Sequence, residues 1–421
     1  MDKKILVWIF QTGEPLPLDG NARAMRAINL SNALVASGHH VVLWSSDFYH
    51  QEKIHRFNDY KKVQISDLLE IRLIPSPGYE KNVGFARLFD HMVLAKNLKK
   101  MLKQEKIGPD IAFIGYPPIE SASVMTHWLA KRNIPCLLDV KDQWPSFMVD
   151  ALPRWGQGIG RILLSPYYYL AKRSMKEATG LTAMADDFLL WALDFSNRKK
   201  TNKDFVVPLT TKNSQFSADE IKDAVQWWLQ KGVTDNGKAK VMFVGSHYPS
   251  LDFLPIFEAA ALFIDKGIEC DFIICGHGEL TESLVIKAKN YKNIFFPGWI
   301  DRPKVEELAK MSIASIAPFK NIDCYVKSLP NKIIDSLSLG LPIISPLNGE
   351  VKRLIDIEKV GLMYREGSGV SLYDSIIKLK SDKNLCTKIS ENSINLYNKK
   401  FSYEVVYGEI VEHLESLSIA K

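Results

Sequence analysis

Short apolar runs alternate with amphipathic helical patterns along most of the chain. Residues 5–10 are apolar throughout, as expected for a parallel strand that is covered on both faces. Apolar positions at helical spacing come next and end just before Gly38, a residue type that commonly ends helices. A second strand is predicted at 40–45. This alternation of strands and helices predicts an α/β fold with parallel sheets.

Two such series are present, one in each half of the sequence. In the first half the pattern predicts further strands and helices at 69–74, 85–102, 111–114, 120–131, 135–140 and 181–183. A polar, lysine-rich stretch at 196–213 interrupts the rhythm. The second half then predicts elements at 219–231, 241–244, 253–266, 271–275, 279–289, 294–296, 304–311, 313–317, 332–339 and 342–345. We therefore expect two doubly wound, Rossmann-like domains that face each other across a ligand-binding cleft.

Length and composition agree with this organisation. The chain has 421 residues, and at roughly 150 residues per domain this length favours two domains, with three as the alternative. We place a first domain at 1–205 and a second at 206–400, followed by a C-terminal helix at 401–421 that crosses back to the first domain. With 46% hydrophobic and 24% charged residues, the composition is that of a globular protein.

Charge and targeting signals narrow the expected environment. The net charge of +6 suits anionic ligands or an anionic membrane surface, and it is too small and dispersed to indicate nucleic-acid binding. No segment approaches the roughly 20 apolar residues that span a bilayer. The N-terminus is typical of a buried strand rather than of a secretion signal. Five scattered cysteines without a CxxC pair indicate buried thiols in a reducing cytoplasm.

The segment 328–345 carries the clearest candidate chemistry. It predicts a loop, a short helix that Pro330 and Asn331 introduce, and an apolar strand. Asp335 is expected near the start of this helix, where a carboxylate can accept both hydroxyls of a ribose. Lys332, beside free backbone N–H groups, can hold a phosphate. From spacing alone, the alternative is a surface helix with a favourable acid and a solvated lysine.

This segment resembles the acidic-helix motif of GT-B glycosyltransferases. The resemblance is to family 4 of retaining nucleotide-sugar enzymes, and within it to the bacterial branch that builds O-antigens, capsules and exopolysaccharides. The matching positions are Pro330, Lys332, Asp335, Gly340, Pro342, Ile343 and Ile344. Further similar pieces follow the family's order over nearly the whole chain: Gly20, Arg23, Arg26, 38–41, 139–145, 244–246 and 275–279.

The resemblance implies a hexosyltransferase-type enzyme (EC 2.4) with the GT-B fold. Such an enzyme moves a sugar from a UDP or GDP donor to a saccharide acceptor with retention of anomeric configuration. The implied acceptor is linked to polyprenyl diphosphate at the inner face of the cell membrane, and the implied pathway is bacterial surface polysaccharide synthesis. No bound cofactor or metal is implied, and the nine histidines show no HxxxH or HExxH spacing.

The resemblance also implies roles for individual residues. Asp142 and Lys141 follow the apolar strand 135–140 and are expected to be catalytic. A loop-end ion pair between them is the alternative, and packing is the simpler explanation for Trp299. Donor binding is expected at Asp335, Lys332, Gly20, Arg23, Gly245, Ser246, Gly276, Trp299, Ile300, Pro330 and Asn331.

The sequence departs from the family pattern in two places. Lys327 stands where the family has the first of two glutamates. The family's Arg…Lys pair, which neutralises the donor diphosphate, would fall in 245–253, where His247 is the only possible cation. We therefore expect Lys332 and the backbone amides of the glycine turns to neutralise more of the diphosphate charge.

Two segments suggest a membrane surface. The stretch 151–176 lacks acidic residues and alternates cations with aromatic and aliphatic side chains. Four lysines continue a predicted helix that begins with apolar residues: Lys96, Lys99, Lys100 and Lys103. Basic helices with aromatic edges can lie in a headgroup layer, where each cation contributes about 1 kcal/mol. We expect reversible contact with an anionic membrane; core-packed helices with solvated lysines are the alternative.

Other function classes stay open. UDP-sugar 2-epimerases also use two facing doubly wound domains, but they need acids and histidines in the cleft, and the sequence alone suggests no such cluster. A binding-only relative would agree with Lys327 and the missing Arg…Lys pair. A nicotinamide dehydrogenase is disfavoured because no GxGxxG follows the first strand.

Overall fold

Parallel strands form two separate sheets, one in each of two units of the chain. The computed structural model describes residues 4–20, 24–81, 84–150, 152–210, 212 and 215–419. The first unit comprises Met1–Pro208 and Val406–Lys421, and the second comprises Leu209–Val405. Both sheets alternate with helices along the chain, which confirms the expected α/β class.

In the first unit the strands are β1 (Leu6–Phe10), β2 (His40–Ser46), β3 (Phe48–Tyr49), β4 (Ile54–His55), β5 (Lys61–Ser66), β6 (Leu69–Ile74), β7 (Ile111–Tyr116), β8 (Cys136–Val140), β9 (Gly180–Ala183) and β10 (Phe205–Val206). The helices are α1 (Arg26–Ala36), α2 (Phe85–Gln104), α3 (Ile119–Ala130), α4 (Ser146–Asp150), α5 (Gln157–Leu163), α6 (Ser165–Glu177) and α7 (Asp186–Ser196). Arg154–Gly156 adds one 3-10 turn before α5.

The first sheet has the order β10-β9-β8-β7-β1-β2-β6-β5, and β1 lies at its centre. Its pairs are parallel except for β5, which runs antiparallel to β6 at the edge. Parallel pairing brings the carboxyl ends of β1, β2, β7 and β8 to one edge of the sheet. Loops after these strands therefore meet there, as is usual for ligand sites in such folds.

Helices α2 and α3 lie side by side on this sheet and run in the same direction. Near their N-terminal ends, His91 Nδ1 lies 4.0 Å from Glu120 Oε2. Near their C-terminal ends, the indole N–H of Trp128 donates to the carbonyl of Leu102 at 2.9 Å. The Trp128 ring also stacks on Trp8 of β1, with ring centroids 5.4 Å apart, which anchors α3 to the sheet.

In the second unit the strands are β11 (Ala239–Val244), β12 (Cys270–Cys275), β13 (Ile294–Gly298), β14 (Ala314–Ile316), β15 (Ile343–Ser345) and β16 (Gly361–Met363). The helices are α8 (Ala218–Gln230), α9 (Leu254–Asp265), α10 (Thr281–Ala288), α11 (Arg302–Lys310), α12 (Asp323–Val326), α13 (Asn331–Ser338), α14 (Glu350–Glu358), α15 (Gly369–Ser381) and α16 (Lys383–Leu396). Helix α17 (Tyr403–Ile419) begins in this unit, and its residues from Val406 onward belong to the first unit.

The second sheet has the order β13-β12-β11-β14-β15-β16 with parallel pairing throughout. The loops after β11 and β12 are thus neighbours at its carboxyl edge. Helix α13 enters the layer of helices between β14 and β15 and presents its N-terminal end to the same edge, since it precedes β15 in a parallel connection.

The structure differs from the sequence-based expectation at the margins. β5 lies within a largely exposed stretch whose polar pattern gives no core-facing signal. β10 pairs with β9 inside the stretch that the sequence predicts as a linker, so the first sheet extends to Val206. Within 152–176, the described part of the acid-free stretch, the chain forms a 3-10 turn and helices α5 and α6.

Candidate active site

Two glycine turns lie against each other at the carboxyl ends of β11 and β12. The N–H of Gly245 donates to the carbonyl of Cys275 at 3.0 Å, and the N–H of Gly276 donates to Gly298 at 2.8 Å. Gly276 has φ +122°, and a Cβ there would lie 2.0 Å from the carbonyl oxygen of Gly245. Only glycine fits this contact, which leaves bare backbone at the edge of the sheet. Ser246 follows Gly245 and is exposed.

His247 is completely buried, and its hydrogen bonds connect these two turns. Its N–H donates to the carbonyl of His277 at 3.1 Å, and its own carbonyl accepts from the N–H of Leu280 at 3.0 Å. Its Nδ1 lies 2.8 Å from Thr281 Oγ1, which also accepts a hydrogen bond from the N–H of Gly278 at 2.8 Å. The side chain therefore ties the β11 turn to the start of α10.

The imidazole of His247, the only possible cation in 245–253, is uncharged at neutral pH. Its pKa is lowered to about 4, because burial disfavours the charged form and because His277 and Lys332 add positive charge nearby. Three aromatic rings pack around it: Phe243, Phe253 and Phe296. At neutral pH this histidine is uncharged and buried, which leaves the expected role of neutralising the diphosphate to Lys332 and the backbone amides.

The ammonium group of Lys332 takes the position beside the first turn. Its Nζ donates to the carbonyl of Val244 at 3.0 Å and lies 4.6 Å from the centroid of the Phe243 ring. A Cβ on Gly245 would lie 1.6 Å from this Nζ, so the lysine depends on a glycine there. Burial lowers the pKa of Lys332 to about 8, and the carboxylate of Asp335 opposes that shift. At pH 7 the lysine is charged.

Helix α13 places Lys332 and Asp335 three residues apart, on one side of the helix. Pro330 is its N-cap and Asn331 its exposed first residue. Asp335 is the fifth residue of this helix and lies in its second turn, so the alternative of a favourable first-turn acid does not apply. The opposite side of the helix, Ile333 with Ile334 and Leu337, is buried in the core.

Trp299 and Ile300 follow β13 and differ sharply in exposure. Ile300 is buried, with 6% of its surface exposed, and joins the apolar core around Trp228. Trp299 is 68% exposed, so core packing does not account for it. An exposed indole beside the carboxyl edge of the sheet is suited to stacking on a flat ligand group.

A separate pocket of about 190 Å³ lies in the first unit, where β1, β2, β7 and β8 end. Both predicted catalytic residues, Lys141 and Asp142, line it because they directly follow β8. The remaining lining residues are Gln11, Thr12, Gly13, Ser46, Phe48, His50, Tyr79, Arg87, Asp90, His91, Leu94, Pro117 and Pro118.

Lys141 is held by a polar network rather than by Asp142. Its Nζ donates to Gln11 Oε1 at 2.9 Å and to the carboxylate of Glu14, and lies 4.0 Å from Asp139 Oδ2. The buried carboxylate of Glu14 also accepts from the N–H of Ala27 at 2.9 Å, which ties the loop after β1 to α1. This geometry favours a positioned cation over the loop-end ion pair.

Asp142 is accessible from the pocket, yet it is surrounded by protein on its other sides. Loss of water around it raises the pKa of Asp142 to about 6, against the opposing charges of Arg87 and Lys141. A carboxylate with a pKa near 6 is ionised at pH 7 and is a stronger base than a free aspartate. Such a group can orient a hydroxyl and accept its proton.

The pocket also brings together residues that the sequence reasoning missed. His50 and His91 lie in it with Arg87 and Asp90, although they come from β2–β6 connections and from α2. His50 Nδ1 accepts from Lys53 Nζ at 3.1 Å and lies 2.6 Å from the hydroxyl of Tyr79, so its Nε2 carries the proton.

Burial holds both histidines neutral. It lowers the pKa of His50 to about 4 and the pKa of His91 to about 3, and Arg87 lowers both further. The sequence alone suggests no histidine–acid cluster, yet these two histidines line one pocket with Asp90 and Asp142. His50 and His91 are 41 residues apart in the sequence, so their spacing carries no signal, and the fold brings them together.

Two predicted donor residues lie in the first unit. Gly20 has φ +74° and lies in the loop between β1 and α1. Arg23 lies outside the described residues. Within the described ranges, no group of three or more His, Cys, Asp or Glu side chains is arranged to hold a metal ion. Among the same residues, no helix has the length and apolar character needed to cross a bilayer.

Residues 217–396 match the family of glycosyl transferases group 1, so this domain includes both glycine turns, Lys332 and Asp335. No curated protein matches the chain at a significant level. The matched range covers the second unit almost completely. It supports glycosyltransferase activity for this protein.

Solved structures extend the likeness to the whole chain. A sucrose-phosphate synthase from Thermosynechococcus elongatus has a TM-score of 0.69 at 14% identity, with 100% of both chains covered. WaaG, a glycosyltransferase involved in lipopolysaccharide biosynthesis, has a TM-score of 0.63 at 14% identity over 97% of this chain and 99% of its own. Anabaena HepE, solved with UDP-glucose, has a TM-score of 0.64 at 11% identity, covering 98% of this chain and 100% of its own. The chain therefore has the GT-B fold, as the resemblance implied.

Proposed function

We propose that this protein transfers a sugar from a nucleoside-diphosphate donor to a saccharide acceptor and retains the anomeric configuration. The observation that carries the proposal is the contact between the Lys332 ammonium and Gly245. It concentrates positive charge and bare backbone at one sheet edge, inside the domain that matches the glycosyltransferase family. Backbone N–H groups and a lysine are the usual means of holding phosphates in such folds.

The donor site follows from this contact. Lys332 and the turns at Gly245, Ser246 and Gly276 bind the diphosphate. The donor-binding roles that the resemblance implies for Gly20 and Arg23 stay predictions. Asp335 accepts hydrogen bonds from the ribose hydroxyls. Trp299 stacks on the base, which is uracil or guanine, and the backbone at Ile300 contacts its edge; Pro330 and Asn331 set the entry of α13.

The chemical step uses the pocket of the first unit. Asp142 orients the acceptor hydroxyl and accepts its proton as the oxygen bonds to the anomeric carbon, while the bond from that carbon to the phosphate oxygen breaks. Lys141 stabilises the negative charge that develops on the leaving phosphate. No bound cofactor or metal takes part in this scheme; the nucleotide sugar is a substrate.

The acceptor in this proposal is linked to polyprenyl diphosphate, and the protein works in the cytoplasm, on the inner face of the membrane, in surface polysaccharide synthesis. Exposed apolar side chains support the membrane contact: Trp155 is 83%, Ile162 74% and Leu163 73% exposed. Exposed cations on the same segment, Arg161 and Lys172 among them, would face anionic headgroups.

A second candidate is a nucleotide-sugar 2-epimerase, and one observation favours it. The pocket of the first unit does contain histidines and acids together, namely His50, His91, Asp90 and Asp142. An epimerase removes and returns a proton on the donor sugar itself, so it needs no acceptor.

One assay separates these functions. The full-length protein is incubated with radiolabelled UDP- and GDP-sugars, with and without a chloroform–methanol extract of bacterial membranes. Transfer of label into the lipid fraction, with the donor's anomeric configuration retained by NMR, is the expected result. Isomerised donor without extract would support the epimerase. Nucleotide binding without turnover on any acceptor would support a binding-only relative.

A further inference from the structure

A groove of about 570 Å³ runs between α2, α3 and α6 in the first unit, and the proposed transfer does not use it. Its volume is in the range of roughly 300–1,000 Å³ that is usual for small-molecule sites. Six of its fourteen lining residues are apolar: Met92, Ala95, Leu102, Val124, Trp128 and Leu170. Five more are cations, namely Lys99, Lys103, Lys131, Arg132 and Arg173, and the others are Glu120, Ser123 and His127.

The cations are concentrated at one end of the groove. Lys99 and Lys103 lie near the C-terminal end of α2, and Lys131 directly follows α3, which runs in the same direction. These three lysines are exposed and form no ion pair among the described residues. Arg132 covers the Trp128 ring at 3.9 Å and widens the same positive surface.

The other end of the groove is apolar and open. Met92 lies eleven residues before Lys103, which corresponds to about 16 Å along the helix. It is exposed, and so are Phe89 and Phe85, which continue its side of α2 toward the N-terminal end. A hydrocarbon chain in the groove would therefore leave it next to an exposed apolar stripe.

Glu120 is the one acid that lines the groove, and it lies at the apolar end beside His91. Its side chain is buried, with only 7% of its surface exposed. Burial raises the pKa of Glu120 to about 7, so its negative charge is weakened at neutral pH. The acid does not offset the lysines at the opposite end.

We propose that this groove binds one membrane lipid with a phosphate headgroup, the phosphate at Lys99, Lys103 and Lys131 and the chain against Val124 and Leu170. Charge complementarity selects the headgroup, because three lysines without ion-pair partners face a site with a single weakened acid. The apolar lining selects the chain, because covering it removes apolar surface from water. This inference goes beyond the proposed transfer, since the groove and the catalytic pocket lie on different sides of α2 and share no lining residue.

The test uses calorimetry on the full-length protein with decyl phosphate kept below its micellar concentration. Decyl maltoside supplies the same chain with a neutral head, and inorganic phosphate supplies the head alone. We expect saturable binding of decyl phosphate at one site and weaker binding of both other probes. Equal affinity for decyl phosphate and decyl maltoside would overturn the proposal, and so would the absence of decyl phosphate binding.

Variants locate the site. The double substitution K103Q/K131Q should weaken decyl phosphate binding about thirtyfold, whereas K96Q/K100Q, on α2 but outside the groove lining, should leave it unchanged. V124W should block the groove, and V370W, at an exposed valine of the second unit, is its control.

If V124W misfolds, the lysine variants still decide the question. Equal effects of both lysine pairs would mean that the attraction is non-specific. UDP binding by each variant is measured separately, so that failure of this proposal is distinct from failure of the proposed transfer.

Discussion

At the scale of single residues, Lys332 is the group whose surroundings most constrain its role. Its ammonium is buried against Gly245 and Val244 with one acid, Asp335, on the same side of the helix. A buried cation with a lowered pKa gains from an arriving anion, because the anion replaces lost water. The sequence pattern predicted that Lys332 and Asp335 act together. It did not predict the burial of the Lys332 ammonium, which results from the Phe243 ring and the turn after β11.

The state of Lys332 predicts a pH dependence of nucleotide binding. Its pKa of about 8 means that the free protein loses this charge as pH rises through 8. UDP affinity should therefore fall above pH 8, by about 1.5–3 kcal/mol in all for a lost charged hydrogen bond, measured by calorimetry from pH 6.5 to 10. K332Q should give weak binding with a flat profile. K327Q, which removes a lysine that pairs with Asp323, should keep the wild-type profile.

Asp142 predicts a different behaviour, in turnover rather than in binding. D142N keeps the shape of the side chain but removes the base, so kcat should fall at least about a hundredfold, while UDP affinity stays within about twofold. With the pKa raised to about 6, the base form is lost as pH falls below 6, so wild-type turnover should fall there. The exposed carboxylate of Asp150 provides the control: D150N should match wild type. Wild-type turnover in D142N would make Asp142 a structural residue.

At the scale of elements, the sequence predicted strands and helices well where both faces or one stripe are buried. The structure has β6 at Leu69–Ile74, the range that the apolar pattern predicted, and α2 begins at Phe85 as predicted. Strands without a core-facing pattern were missed. β5 is mostly exposed, and β10 has only two residues. Contacts made by topology were missed too, because nothing in the spacing of His50, His91 and Arg87 indicates a shared pocket.

The turns after β11 and β12 predict an unequal response to the same substitution. Gly276→Ala places a methyl group 2.0 Å from a backbone oxygen, where no side chain can give way. It should cost about 2–4 kcal/mol of unfolding free energy and weaken UDP binding. Gly267 also has a positive φ, +65°, but open space around it, so Gly267→Ala should cost only about 1 kcal/mol. Urea unfolding of both variants measures the difference; equal costs would contradict the close contact of the two turns.

At the scale of the whole molecule, exposed apolar and basic side chains are concentrated in one stretch of the first unit. In 152–176 the exposed residues include Trp155, Ile159, Ile162, Leu163 and Tyr169. The sequence shows that this stretch lacks acids and is rich in aromatic residues. It did not indicate which of these side chains are exposed. Large exposed apolar groups among cations are typical of a surface that meets another phase or partner.

This surface predicts salt-sensitive binding to anionic vesicles. The wild-type protein should sediment with phosphatidylglycerol-containing liposomes at low salt and be released at about 1 M salt, where the screening length falls to about 3 Å. Replacing Arg154, Arg161 and Lys172 with glutamate should abolish sedimentation and leave UDP binding unchanged. The control replaces three exposed lysines of the second unit, Lys289, Lys383 and Lys388, with glutamate for the same change in net charge. Equal loss in both variants would mean that net charge alone drives the contact.

The central claim is that α13 and the two glycine turns bind a nucleoside diphosphate. Calorimetric titration of UDP and GDP into the wild-type protein and D335A tests it most directly. We predict binding of one nucleotide to the wild type and a loss of about 1.5–3 kcal/mol in D335A, because charged hydrogen bonds to the ribose are removed. D356A, which removes an exposed acid paired with Lys352, should bind as wild type, and thermal unfolding curves should confirm that both variants fold. Unchanged affinity in D335A, or no binding of either nucleotide to the wild type, would contradict the account.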